Sequence, residues 1–301
     1  MKAVGEPPKV SVCVVTYNQE KYIRQCLQSI IDQDTGFDFE VIVGDDCSTD
    51  GTRAIVQEFA ARHPSRFVTA FHTRNLGAVG NYFATHELAR GAYIAHIDGD
   101  DYILPGKLQR QSDFLDAHPD HNVVWHRVRY EFADGRQVDD LIDYEKIRSG
   151  YTRDDLIRYT FVANHSSKLY RASQRQFCRR VENTLDYFLN LDHLQHGKAA
   201  YVGPEILGVY RYGQGISTAP SLKYRHFLLD RLLQMAGEDR RDHHALNFAA
   251  FVLLVSDVRS SNNTWAKSCK LFANTFSLSA LFEYPHGLRL RKIYSTPFHA
   301  A

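Results

Sequence analysis

Apolar positions in the first 130 residues alternate between short β-branched runs and faces with a helical period. Residues 9–15 (KVSVCVV) predict a strand buried on both faces. Asn18 stands where a helix cap is expected. Ile23, Cys26, Leu27, Ile30 and Ile31 then recur at i, i+3, i+4, i+7 and i+8. Residues 39–43 read as the next strand and end in GDDCSTDGT, with Asp50 capping a helix that begins at Gly51 and buries Ile55, Val56, Phe59 and Ala60. Residues 66–71 predict a third strand, and Val79, Tyr82, Phe83 and His86 mark one side of the helix after Gly77. Residues 92–97 form the fourth strand. Such strict alternation predicts an α/β fold whose mainly parallel sheet is flanked by helices. Ligands bind open sheets of that kind beyond the carboxyl ends of the strands. Those ends here carry TYN, DDCSTD, HTRN and DGDD, so four polar loops are expected to meet at one edge.

The middle of the chain is less regular. Residues 122–132 alternate well enough for a strand (Val124, Val128, Tyr130, Phe132), Asp134-Gly135 marks a turn, and 139–158 is polar and helical in parts. Residues 182–196 predict a helix, followed by a short strand near Ala200 and the segment VYRYGQGIS. From about Leu222 the pattern is helical, with apolar clusters at 227–233 and 246–255. No internal repeat or low-complexity tract interrupts it.

Composition narrows the class. The 301 residues are 44% hydrophobic and 24% charged, ordinary for a globular protein. Thirty-six basic residues against 35 acidic ones give a net charge of +1, so bulk electrostatics do not mark a nucleic-acid binder. The 15 histidines are scattered without an HExxH spacing, and read as surface or core residues. Five cysteines include no CxxC pair; Cys13 and Cys26 fall in apolar patterns, and the set implies a reducing compartment. The start, MKAVGEPPKVSV, has no apolar signal core, and the longest apolar run, 248–255, is far below the roughly 20 residues of a membrane span. A soluble, cytoplasmic chain is the expectation.

The stretch 91–108, GAYIAHIDGDDYILPGKL, sets Asp98, Asp100 and Asp101 directly after an apolar strand. In extended backbone Asp98 and Asp100 would point to one side, about 6.5 Å apart. Two hard oxygen donors so placed suit Mn²⁺ or Mg²⁺, and such an ion carries phosphates. A solvated acidic turn has the same composition.

Four segments together, VSVCVVTYNQEKYIRQCLQSI, FEVIVGDDCSTDGT, RNLG and GAYIAHIDGDDYILPGKL, resemble the family 2 glycosyltransferases, whose domain is the nucleotide-diphosphosugar transferase fold GT-A. The likeness covers residues 8–217. It implies a nucleotide-binding half over about 8–120 and an acceptor half over about 121–220, with residues 221–301 as a C-terminal helical extension. It also implies that Thr16, Tyr17 and Asn18 line the base pocket, and that Asp45 or Asp46 meets the base N–H. Arg74 and Asn75 would approach the diphosphate. Asp98, Gly99, Asp100 and Asp101 would form the family's DxD motif, with the three aspartates around the cation and ribose.

Family members invert the anomeric centre in one displacement, assisted by an acidic base on a later helix. VENTLDYFLNLDHLQHGKAAY followed by VYRYGQGIS matches that layout, which points to Asp186, with Glu182 as the alternative. Two departures stand out. Asn183 breaks the family's acidic pair, and Tyr210-Arg211-Tyr212-Gly213 lacks the histidine of the YRxH pattern. Arg211 is then left for phosphate, and Asn164, His165 and Ser166 for the acceptor. The resemblance thus implies a metal-dependent, hexosyltransferase-type enzyme acting on a nucleotide-diphosphosugar, UDP-linked by expectation, and a saccharide or lipid-linked saccharide acceptor in surface polysaccharide assembly. Nucleotidyl transfer is disfavoured because TYNQEKY replaces the Gly- and Arg-rich loop it needs; a silent binding or scaffold protein is the remaining alternative. The basic tail LRLRKIYS (288–295) suggests peripheral contact with the inner, anionic membrane face. A homo-oligomer is left open.

Overall fold

The computed structural model describes residues 6–141, 144–160, 163–178, 186–213 and 222–285. They fall into two compact units: Met1–Asp140 with Tyr144–Gly150 and Ala163–Gly215, and Leu141–Asp143 with Tyr151–Val162 and Ile216–Ala301.

The first unit opens as the alternation predicts, with β1 (Val10–Thr16), α1 (Ile23–Ile31), β2 (Phe39–Asp45), α2 (Thr52–Arg62), β3 (Phe67–Phe71), α3 (Gly77–Glu87) and β4 (Tyr93–Asp98). These strands lie in the order β3-β2-β1-β4 and are all parallel. The chain continues through β5 (Tyr102–Ile103), α4 (Lys107–Ala117), β6 (His121–Phe132), β7 (Gln137–Asp139) and α5 (Tyr144–Ser149). After α6 (Arg153–Tyr159), which belongs to the second unit, come β8 (Leu169–Arg171), α7 (Asp186–His193) and β9 (Lys198–Tyr212).

Past β4 the sheet is mixed. β8 runs antiparallel to β4 and to β6, β9 is parallel to β6, β5 is antiparallel to β9, and β7 is antiparallel to β6. The reversal has a local cause. A 3-10 turn, His165–Ser167, is tied to the carboxyl end of β4, where Asp98 N–H donates to Ser166 Oγ (3.1 Å). The chain leaving that turn can only run back along β4. β9 is one 15-residue strand where a short strand and a separate segment were expected. Its pairing with β6 shifts register around Arg127, so the Gly203-Pro204 interruption is absorbed as an irregularity.

The core explains why the sheet holds. Val10, Val12 and Val14 of β1 pack with Val41 and Val43 of β2, Ala95 and Ile97 of β4, and the faces Ile23, Cys26, Leu27 and Ile30 of α1 and Leu108 and Leu115 of α4. Each such aliphatic side chain contributes about 1.5–3 kcal/mol on burial. On α3, Tyr82 and Phe83 pack with Leu189 of α7. Cys13 and Cys26 are wholly buried, as their setting predicted. Asn18 does not cap α1. The helix begins at Ile23 after Tyr22, which makes no side-chain cap, while Asn18 sits at φ 51°.

The described residues of the second unit are mainly helical, as the pattern from Leu222 predicts: α6, α8 (Leu222–Glu238), α9 (His243–Arg259), α10 (Trp265–Asn274) and a helix at 278–285. Phe248, Val252, Ala280 and Tyr284 form its apolar cluster. Buried Asp257 accepts from Arg225 (2.7 Å), Thr264 (2.8 Å) and Ser268 (2.6 Å). Arg153 of α6 pairs with Asp242 (3.0 Å), so this segment groups with the C-terminal helices although it precedes β8 in the chain. Among the described residues, no helix is long and apolar enough to cross a membrane.

Candidate active site

The loops after β1 and β2 are stitched to each other. Asn18 Oδ1 accepts from Thr49 N–H (2.8 Å), and Asn18 N–H donates to Ser48 Oγ (3.0 Å). Gln19 N–H donates to Thr52 Oγ1 (2.7 Å), Glu20 N–H to Asp50 (3.1 Å), and Gly51 N–H to Glu20 (2.8 Å). Asp50 also accepts from Thr52 N–H (3.0 Å), but the helix begins at Thr52, one residue later than expected, and its N-cap is Gly51, which makes no side-chain cap. Asn18 therefore serves loop–loop bonding instead of a helix end, leaving Tyr17 half-buried beside it.

Asp45 and Asp46 separate clearly. Asp45 is fully buried and accepts from Arg53 through Nε (2.9 Å) and Nη2 (2.8 Å). Asp46 accepts from Leu76 N–H (2.6 Å), and Asn75 Nδ2 donates to the Asp46 carbonyl (3.2 Å). The β2 and β3 loops are thereby joined, with Arg74 exposed between them.

The acidic segment is a turn, so the spacing reckoned for extended backbone does not apply: β4 ends at Asp98 and Asp101 N–H donates to the Asp98 carbonyl (2.9 Å). Gly99 allows it, since its N–H donates to Val15 O (2.9 Å) and a Cβ there would lie 2.9 Å from Thr16 Cβ. Asp101 is an internal brace. Its Oδ1 accepts from Arg211 N–H (2.9 Å) and its Oδ2 from Ser166 Oγ (2.5 Å).

Arg211 is likewise committed. Its guanidinium donates to the Asp100 carbonyl and Gln25, pairs with Glu131 (3.3 Å), and lies between the Tyr22 and Tyr102 rings. It holds the turn and is not presented as a free phosphate-binding cation. Ser166 also backs the turn, accepting from Asp98 N–H and donating to Asp101, while Asn164 donates to Tyr130 OH (3.0 Å).

The carboxylates perturb one another. Burial, then the Asp98 charge, pushes Asp100 up to about 6; burial pushes Asp98 up to about 6 against the relief of Ser166 and Lys168. Asp101 is driven up by burial and by both neighbours. Asp186, the first residue of α7, is pushed up to about 7 by desolvation and by Asp98, with Lys168 opposing. Its side chain remains 64% exposed, so solvent screening discounts that rise. Its Oδ1 lies 3.7 Å from His165 Nε2, and His165 in turn packs on His96 beside Asp98. The structure thus brings Asp186 into the electrostatic field of the acidic turn. Glu182 and the tail 288–295 lie outside the described residues.

Sequence reasoning missed the buried counter-ions. Lys107 donates to the Ser166 carbonyl (2.8 Å), and desolvation holds it down to about 7; Lys168 is wholly buried and held down to about 8 by the same cause. Lysines at apolar-face positions give no local signal of such roles.

Among the described residues, no three His, Cys, Asp or Glu side chains converge as a closed metal cage. The donor set nevertheless fits a divalent cation held partly by substrate. Asp98 and Asp100 offer hard oxygens, their mutual repulsion favours a cation, and Mg²⁺-type sites use one or two carboxylates plus phosphates. A cavity of about 420 Å³ beside α3, lined among others by Tyr82, His86, Tyr170 and Arg175, contains none of these loop residues.

The sequence profile of glycosyl transferase family 2 matches residues 11–173. An uncharacterized protein of Mycobacterium tuberculosis is 35% identical over 203 residues, 67% of this chain and 58% of that protein, so the chain spans under two thirds of that curated relative. The putative teichuronic acid biosynthesis glycosyltransferase TuaG of Bacillus subtilis is 30% identical over 207 residues, 68% of this chain and 79% of TuaG. In three dimensions, the crystal structure of residues 1–349 of Staphylococcus aureus TarS with UDP-GlcNAc aligns over 95% of this chain and 81% of that one, at TM-score 0.64 and 23% identity. The chain therefore belongs to glycosyl transferase family 2 and has the GT-A fold.

Proposed function

We infer that this protein is an inverting, metal-dependent glycosyltransferase that moves a sugar from a nucleotide-diphosphate donor, UDP-linked by our reading, to a saccharide or lipid-linked saccharide. The observation that carries this reading is the approach of Asp186 to the Asp98–Asp101 turn: its Oδ1 lies 3.7 Å from His165 Nε2, and the His165 ring packs at 3.9 Å on His96, which bonds Asp98. A carboxylate within reach of an acceptor hydroxyl beside a donor-diphosphate site suits a general base. TuaG, named for teichuronic acid biosynthesis, supports an acceptor in surface polysaccharide assembly.

The residues then divide the work. Tyr17 stacks on the base, and Asp46 accepts its N–H, because Asp45 is sequestered by Arg53. Thr16 and Asn18 shape that pocket, and Arg74 and Asn75 approach the diphosphate. Asp98 and Asp100 would hold the cation and the ribose side, braced by Asp101, Ser166 and Arg211. When bound, Mn²⁺ or Mg²⁺ neutralises charge building on the leaving nucleoside diphosphate. Asp186 takes the proton of the acceptor hydroxyl as that oxygen attacks the anomeric carbon, with Asn164 and His165 beside the acceptor.

A panel of nucleotide sugars, assayed with Mn²⁺ and with chelator, tests this. Release of nucleoside diphosphate only with the metal is expected. Pyrophosphate release would mean nucleotidyl transfer, and no nucleotide binding would mean a silent scaffold. Asp186→Asn is expected to lower kcat by about 10²–10⁴ while donor affinity stays unchanged. Full turnover in that variant would remove Asp186 from the role of base.

A further inference from the structure

Behind the acidic turn lie three polar side chains that donor binding leaves unused, and they are joined end to end. His96 Nε2 lies 3.2 Å from Asp98 Oδ1, His96 Nδ1 lies 2.9 Å from His86 Nε2, and His86 Nδ1 lies 2.7 Å from the Tyr170 hydroxyl. All three are about 1% exposed. The Tyr82 ring stacks on His86 at 3.8 Å, and the His165 ring packs on His96 at 3.9 Å, so the row is walled on both histidines.

Hydrogen-bond inventory gives this row a direction. An ionised Asp98 has no hydrogen to donate, so His96 Nε2 must carry one. A neutral imidazole has a single N–H, so His96 Nδ1 accepts and His86 Nε2 donates to it. His86 Nδ1 then accepts from the Tyr170 hydroxyl.

We propose that Tyr170, His86 and His96 form a one-directional positioning relay that aims a single N–H at Asp98 and fixes the carboxylate edge presented to the donor and its cation. The role of Asp98 rests on the reading under Proposed function; the relay itself does not. Crowded acids would otherwise turn apart, because Asp98 closes β4 next to Asp100 and Asp101. The histidines are positioning residues: they reach the donor only through Asp98. Partners that orient ligating groups in this way commonly alter metal affinity by about 10–100-fold.

Two measurements test the relay. The first is ¹⁵N-resolved histidine spectroscopy of the intact wild-type chain at pH 8, without metal or nucleotide. Neutral Nε2–H tautomers are expected at both His86 and His96. An Nδ1–H tautomer or an imidazolium at either would overturn the proposal, whatever the enzyme's activity. The second is calorimetric Mn²⁺ binding in the presence of UDP for wild type, His96→Leu and His96→Gln, with Tm recorded for each. His96→Leu should weaken Mn²⁺ about tenfold or more, and His96→Gln, which keeps an N–H donor, should recover most of it. Equal affinity in wild type and a folded His96→Leu would overturn the relay. Absence of any Mn²⁺ binding to wild type would instead fall on the glycosyl-transfer reading, leaving the tautomers to judge the relay alone.

Discussion

Asp100 shows how a residue can be set against the stability of its own fold. Its carboxyl is pushed up to about 6, first by desolvation and then by Asp98. Between about pH 4, where the unfolded chain ionises, and about pH 6, the folded state holds a proton that the unfolded chain has released. Stability therefore falls as pH rises through that window, and the whole penalty is present above it. Asp100→Asn removes the charge, so without divalent cation its Tm should exceed wild type at pH 7.5 and match it at pH 4. Mn²⁺ should raise the wild-type Tm at pH 7.5 and leave the variant's unmoved. A scanning-calorimetry series with no difference at either pH would count against this electrostatic picture. At this scale the sequence was legible where chemistry was crowded, as in DGDD. It gave no sign of a shared role for His86, read only as part of a helix face, for His96 10 positions on, or for Tyr170, 84 from His86, because each alone fits a core position.

Elements carry the site by close approach. Gly44 lets α3 lie directly on β2: a Cβ there would sit 1.8 Å from Thr85 Oγ1 and 2.4 Å from Asn81 Oδ1, and Asn81 donates to the Gly44 carbonyl (2.9 Å). Gly44→Ala should cost about 1–3 kcal/mol by overpacking. Urea unfolding should show this as a lower midpoint at unchanged slope. Adding Thr85→Ala should restore part of the loss; no recovery would mean that the strain lies elsewhere. Periodicity located α1 to α3 and β1 to β4 because each buries a regular face. It did not foresee β5, two residues long, or the antiparallel entry of β8, since such short strands are defined by their partners.

At the scale of the whole molecule, the second unit exposes Phe276 (58%), Leu278 (67%) and Phe282 (87%). The basic residues Arg289, Arg291 and Lys292 follow in sequence. Apolar and basic groups together suit an anionic membrane face. Phe276→Asp with Phe282→Asp, or truncation after Gly287, is expected to cut cosedimentation with phosphatidylserine-containing vesicles at least fivefold; unchanged sedimentation of both variants would end that idea. The sequence by itself determined the α/β alternation, the family motifs and the loops that carry them, because those follow from local period and local chemistry. Only the tertiary structure decided that Asp45 is sequestered by Arg53, that Arg211 braces the turn, and that buried histidines back Asp98. The physical reason is that a side-chain hydrogen bond or ion pair leaves no periodic trace, whether its partners stand 2, 8 or 111 positions apart, and which partner wins depends on how strands and turns close on one another.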